Sequence, residues 1–221
     1  AAAGSLRSMD LDAIRLYFAV NALIGYITMD FADWNLGMLV RTGKFLTFAL
    51  RPIHHRWFAL SQKAGHRVLG LVFEFIPCAI IFTLLFRIPL IPAYPLWTIL
   101  SLGLSFLITF YINYTIGLCA FWLVRPDGIR AAWQLAAAVL SGALIPLTFF
   151  PAFIQKALFF LPFQYTTYLP AMIWTGRYTL AGTQIPIPQA VGMQALALLA
   201  IALASELVYR ASMRRFNGVG A

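Results

Sequence analysis

The sequence predicts an all-α polytopic membrane protein, and three observations carry that prediction. Of the 221 residues 62% are hydrophobic and only 10% charged, whereas a soluble domain carries about 25% charge; mean hydropathy is +0.82. Apolar stretches long enough to cross a hydrocarbon core recur along the chain, separated by short links. Basic residues gather in alternate links, as the positive-inside rule requires of a polytopic protein. Spans and links use up residues 13–221, which read as a single transmembrane domain with no room for a soluble catalytic unit. The net charge of +9 marks lysines and arginines kept on the cytoplasmic side, and no nucleic-acid partner is expected. Cys78 and Cys119 both fall inside apolar spans and give no disulfide framework.

The elements follow in order. Residues 1–12 open with AAAGS, a linker-like composition, and are set apart from the fold. The first span is 13–29, near the minimum length, with Arg15 close to one end and Asp30 just past the other. A basic region, 33–67, leads to the second span, 66–87, which contains Glu74 and Pro77. The uncharged turn 88–95 precedes a long third span, 96–124, and the link RPDGIR (125–130) joins it to a fourth, 131–150. That fourth stretch holds twenty residues without a charge. Pro146 and Pro151 break the helical pattern at its end, since each removes a backbone donor and crowds the preceding turn. Residues 152–170 stay apolar around the single charge of Lys156, and Pro162 and Pro170 divide them into pieces too short to span. Two readings stand for 152–170: a re-entrant segment that dips into the membrane and returns, or an external loop lying on the lipid. Broken backbone at membrane depth is tolerated only where protein or a water-filled cavity covers it. A loop marked by Gly182, Pro186 and Pro188 leads to the fifth span, 189–209, and a basic tail.

The 33–67 region holds Arg41, Lys44, Arg51, Arg56, Lys63 and Arg67 against one acid, Asp33. The link adds Arg125 and Arg130, and the tail Arg210, Arg214 and Arg215, so these segments and the C-terminus are expected in the cytoplasm. The other side carries only Arg87, Lys156 and Arg177. Five spans with an internal C-terminus place the N-terminus outside, and residues 1–12 hold no signal peptide. A preceding span, making six, resolves the difficulty.

Most candidate chemistries fail on spacing. Gly37 to Phe45 is the nearest approach to a phosphate-binding loop, but it has five residues between the glycines and Phe45 where a hydroxyl is required. The chain is therefore not expected to hydrolyse ATP itself, and no catalytic residue is assigned. His54, His55 and His66 lie in the basic region without carboxylate or cysteine partners at ligand spacing; they read as interfacial surface residues, and no metal site is expected. Two acids lie inside spans, where burying a charge is costly. Glu206 stands four residues before Arg210, on one helix face, and reads as structural. Glu74 has two readings: pairing with Arg67, or facing a cavity.

The segment 41–66 is too long for a turn and too charged to span. Its apolar residues, among them Phe48, Trp57 and Phe58, give helical pieces with one greasy face on either side of Pro52. One reading is an amphipathic element on the anionic leaflet, where each basic residue contributes roughly 1 kcal/mol. The other is a docking element for a cytoplasmic partner, anchored by aromatics and arginines.

Several of these stretches together resemble a known family. Thr42, Gly43 and Lys44 followed by Arg51 and Pro52, the Ala120-Phe121-Trp122 run, SGALIPLTFFP (141–151), LPFQ (161–164) and YLP (168–170) resemble permease subunits of ABC-2 type transporters. The chain looks most like the small six-span bacterial permeases, with the first span and interfacial helix not represented before residue 13. The resemblance implies a type V exporter-like bundle in the bacterial inner membrane, with a cytoplasmic coupling helix and external re-entrant helices. It implies a second permease, in a homodimer or heterodimer, and a separate ABC ATPase that carries ATP and Mg²⁺; this chain would hold no cofactor. Coupling to that ATPase would fall to Gly43, Lys44, Phe48, Arg51, Pro52, Arg56, Trp57 and Phe58. The external gate would use Pro146, Pro151, Phe159, Pro162, Phe163 and Pro170. An amphiphilic or hydrophobic cargo suits a lining rich in aromatics, including cations held on aromatic faces. Alternatives are a secondary carrier or channel without an ATPase, which would need ionisable residues along its path, and an intramembrane enzyme or scaffold.

Overall fold

A computed structural model describes residues 11–123, 127–176, 178–180 and 182–216. Most of the 1–12 stretch, Arg125 in the basic link, Arg177 and residues 217–221 of the tail lie outside the described residues. Helix α1 (Leu11–Thr28) and the shorter α2 (Ala32–Arg41) are consecutive parts of one apolar stretch, interrupted at 29–31. A single turn, α3 (Leu46–Ala49), leads to α4, a 30-residue helix running His55–Leu84. Then come α5 (Pro95–Leu118), which tightens into a 3₁₀ turn over Cys119–Phe121, and α6 (Asp127–Leu140). Two short helices, α7 (Ala152–Phe160) and α8 (Tyr168–Trp174), precede a two-residue antiparallel hairpin pairing Thr179 with Gln184. The last helix, α9, runs Ile187–Arg215. Four stretches among the described residues are long and apolar enough to cross a membrane: Leu11–Arg41, His55–Leu84, Pro95–Phe121 and Ile187–Arg215.

Several boundaries differ from the sequence expectation. The second span begins at His55, not 66. The charges that mimic an interfacial segment find partners inside the bundle, so the helix runs through them: Arg56 with Glu206, Lys63 with Asp30 and Arg67 with Glu74. Pro77 is accommodated in the same helix by a π-helical stretch, Leu71–Phe75, which absorbs the bond that proline cannot make. The fourth stretch does not form a helix over 131–150. Its helix stops at Leu140, before either proline, because Gly142 takes a left-handed conformation at φ +82°. Pro170 does not end a helical piece either. It sits at the third position of α8, where its missing N–H would have had no helical partner. The basic tail is helical through Arg215, extending the fifth span beyond 209.

Two buried clusters hold the bundle. One joins Tyr17, Val20, Leu23 and Ile24 of α1 to Leu102 and Ile108 of α5, to the α8 region and to Val191 of α9. The other, at the opposite end, joins Leu36, Phe45 and Ala59 to Phe110, Tyr114 and Leu118. Helices α2 and α5 approach closely at Gly117, where a Cβ would come within 3.1 Å of the Asp33 backbone. A small residue at such a crossing lets two backbones pack directly. The turn 88–95 is stitched to α8 by the bond from Ala93 N–H to the Trp174 carbonyl (2.9 Å) and by Trp174 Nε1 donating to the Leu90 carbonyl (3.1 Å).

Candidate functional site

The interruption at Met29–Phe31 begins with Asp30. Its carboxylate accepts the Ala32 N–H at 3.0 Å, a local bond that competes with helical continuation and starts α2 afresh. Both ends of the break are then held from α4. Arg67 donates to the Tyr26 carbonyl at 2.7 Å, capping the end of α1. Lys63, one turn earlier on the same face, pairs with Asp30 at 3.5 Å. The Lys63 and Asp30 side chains are each only 3% exposed. A buried pair needs further bonds to offset desolvation, and Lys63 has one in the Phe106 carbonyl, 2.8 Å away, with its ammonium 4.3 Å from the Phe106 ring centre. Arg130 of α6 pairs with buried Asp33 of α2 at 2.6 Å, and Arg41 with Asp127 at 3.4 Å.

Two cavities meet at this break, and Met29, Asp30 and Phe31 line both. The first, of about 460 Å³, is bordered by Trp34, His55, Lys63, His66, Arg67 and Arg130. The second, of about 510 Å³, is bordered by Thr28, Thr109, Asn113, Trp133, Gln134, Ser141 and Thr167. One wall thus separates a basic chamber from one whose other polar groups are neutral, and that wall is three residues of non-helical backbone, Asp30 among them.

At the basic end, the chain between α2 and α4 makes a compact turn. Gly43 adopts φ +70°, and Phe45 is buried against Phe121, His55 and Phe216, with ring centres 5.1–5.5 Å apart. Phe48 packs on His55 and Phe58, and the Arg51 guanidinium lies 4.9 Å from the Phe48 ring centre. Leu50 and Ile53 project, 79% and 62% exposed.

At the other end, polar bonds fix the segment between α6 and α9. Tyr17 (2.7 Å) and Asn21 (3.1 Å) both donate to the Gly142 carbonyl. Gln194 of α9 is fully buried; it accepts from Ser101 and donates to the Ser101 and Tyr165 carbonyls and to the Ser105 hydroxyl. Tyr178 donates to Gln164 at 2.8 Å, and burial pushes its phenol above the usual range, keeping it a donor. Phe163 stacks on Trp133 at 4.8 Å.

A family model described as ABC-2 family transporter protein matches residues 8–220. The chain belongs to the ABC-2 transporter family. Membership makes it a membrane-embedded permease subunit of an ABC transporter, and permeases of this family generally work with an ABC ATPase. No curated protein and no solved structure matches it.

Within this ABC-2 permease, the residues singled out by sequence fall into three groups. Gly43, Lys44, Phe48, Arg51 and Pro52 share the turn at the basic end, and Trp57 and Phe58 stand half exposed on the first turn of α4. Arg56 has an internal partner: it bonds Glu206 at 2.8 Å, and Glu206 also accepts from Arg210 at 2.8 Å. Glu74 pairs with Arg67 at 3.4 Å and is 42% exposed along its side chain. Pro146, Pro151 and Pro162 each stand at the start of a helical turn between α6 and α8, and Phe159 packs on the first buried cluster. His55 is not an interfacial surface residue: it is buried, with its Nδ1 3.3 Å from the Tyr114 hydroxyl. Asp30, Lys63, Arg130 and Gln194 escaped the sequence reading. The available signal was spacing: two acids three residues apart beside a span, and two cations four apart on the next.

Proposed function

We propose that this permease, paired with a second permease and an ABC ATPase in the bacterial inner membrane, exports an amphiphilic cargo at the cost of ATP hydrolysed on the partner. Its basic end, with the C-terminus, faces the cytoplasm, as the positive-inside rule requires. The single observation that carries this reading is the 42–54 turn. It is braced from within by Phe45 and Phe48 and presents Leu50, Arg51, Pro52 and Ile53 outward between two long helices. Coupling requires an element whose position both sites can bias. A rigid turn leading directly into α4 transmits displacement to Lys63 and Arg67, and so to the break between the cavities. The ATP and Mg²⁺ reside on the ATPase. A second permease is supported by α6, which has no buried residue within this chain.

The test is copurification and ATP turnover with the ATPase subunit. Charge reversal at Arg51 (Arg51→Glu) should leave insertion intact and weaken ATPase binding by about tenfold, as for a charged interface anchor. Normal binding and cargo-stimulated turnover would move the coupling surface elsewhere. One observation favours a second reading: the buried Lys63–Asp30 pair between two cavities is the kind of ionisable group that a gradient-driven carrier uses. Transport into vesicles that needs an ion gradient but no ATPase would select that reading.

A further inference from the structure

We infer that the 510 Å³ cavity between α1, α5 and α6 is a head-group site, and that it takes a neutral, hydroxyl-rich head of an amphiphile rather than an ionic one. The inference rests on the amphiphile reading above and names the chemistry of its cargo.

The cavity is of ordinary ligand size, within roughly 300–1,000 Å³. Its polar groups come from separate elements: Thr109 and Asn113 from α5, Gln134 from α6, Ser141 from the end of α6 and Thr167 from the external segment. None of these side chains hydrogen-bonds to another described residue, and the Thr109 hydroxyl is fully buried without a partner. A buried group left unsatisfied costs about 1–3 kcal/mol. The buried Thr109 hydroxyl, with the unengaged Asn113, Ser141 and Thr167 and the exposed Gln134 around the same space, therefore calls for a counterpart. The wall carries one charge, Asp30, which is already engaged by Lys63 from the neighbouring cavity and by the Ala32 N–H.

The character of the lining selects the head group. Hydroxyls and carboxamides both donate and accept, as do the hydroxyls of a carbohydrate. A phosphate needs cationic donors, and these face the other cavity. A quaternary ammonium needs a free carboxylate or an aromatic cage. The lining offers two aromatics, Phe31 and Trp133, short of a cage, and one face of the Trp133 indole is already stacked on Phe163. Beside the polar lining, Leu135, Leu144 and Ile145 are exposed and supply an apolar flank for a tail.

The experiment uses the permease alone in phosphatidylcholine nanodiscs, without ATPase or transport, so its outcome is independent of whether ATP drives export. Gln134→Cys is placed in a Cys78→Ala, Cys119→Ala background and its labelling by a small thiol reagent is followed. The probes are dodecyl maltoside, dodecyl phosphate and dodecyltrimethylammonium at equal sub-micellar concentrations. Dodecyl maltoside should slow labelling by about tenfold and the ionic probes by less than about twofold, the difference one or two hydrogen bonds make. Adding Asn113→Leu or Thr109→Val should abolish the protection while leaving thermal unfolding unchanged. Equal protection by all three probes would show a site that reads only the tail, and no protection would show no site; either overturns the inference. A Gln134→Cys that instead cross-links to a second permease also overturns it, because the polar face would then be an interface.

Discussion

Gly142 shows how one residue can set where a helix ends. Its φ of +82° lies where a side chain costs about 1–2 kcal/mol, and a Cβ there would stand 2.9 Å from the Tyr17 hydroxyl and 3.2 Å from Tyr168. Its carbonyl is also the acceptor for Tyr17 and Asn21. Gly142→Ala should therefore lower stability by about 2–3 kcal/mol, from strain and displaced hydrogen bonds together, read as an earlier thermal transition in detergent. Ala143→Gly next to it is the control and should shift the transition far less. Gln194 is the counterpart on the last helix. Gln194→Leu keeps the volume but leaves the Ser101 and Tyr165 carbonyls short of a donor, a loss of about 1–3 kcal/mol. The extra consequence expected there is local: limited proteolysis should open the 162–186 segment before the rest of the chain. Cleavage unchanged from the parent would mean that the segment is held by packing alone.

At the scale of elements, the break between α1 and α2 is a joint clamped by one face of α4. Arg67 holds one half-helix and Lys63 the other, so a movement of α4 changes both at once. Removing one partner of a buried pair costs about 3–5 kcal/mol, because the other charge is left uncompensated, whereas replacing both can be nearly neutral. Lys63→Met and Asp30→Asn should each fold poorly, and the double variant should recover stability while losing the tie between α4 and the break. Its expected signature is faster thiol labelling at Met29→Cys than in the parent, at equal thermal stability; labelling at the parent rate would relieve the pair of any clamping role. This joint also explains what the sequence could and could not reveal. The long helices Leu11–Thr28, Pro95–Leu118 and Ile187–Arg215 were legible as helices, though not in their bounds, because apolar runs of that length have few alternatives. The start of α4 was not, since Arg56, Lys63 and Arg67 look like interfacial charges until Glu206, Asp30 and Glu74 are brought beside them. The end of α6 was hidden in the same way, because the partners that fix Gly142 are Tyr17 and Asn21, more than a hundred residues earlier.

At the scale of the whole molecule, the chain has two unlike ends. One gathers the 42–54 turn, Phe121 and Phe216, with basic residues around them; the other gathers the 88–95 turn, α7, α8 and the hairpin. The geometry of residues 152–170 defines a measurement that decides between the two sequence readings, re-entrant or surface-lying. On α7, Phe153 and Phe160 are 73% and 85% exposed, while Leu158 is buried. Two adjacent phenylalanines so placed, Phe159 packed inward and Phe160 outward, need an apolar medium outside as well as a core inside. If that medium is lipid, Phe160→Cys should resist a membrane-impermeant thiol reagent added from outside while reacting with a permeant one. Gln184→Cys, at an exposed position next to Thr183, should react with both. The ratio of permeant to impermeant rates at Phe160→Cys should exceed that at Gln184→Cys by at least about tenfold, because a charged reagent is excluded from hydrocarbon by several kcal/mol. Equal ratios at the two positions would place α7 in water, and the segment would then be a surface loop rather than one that re-enters the membrane.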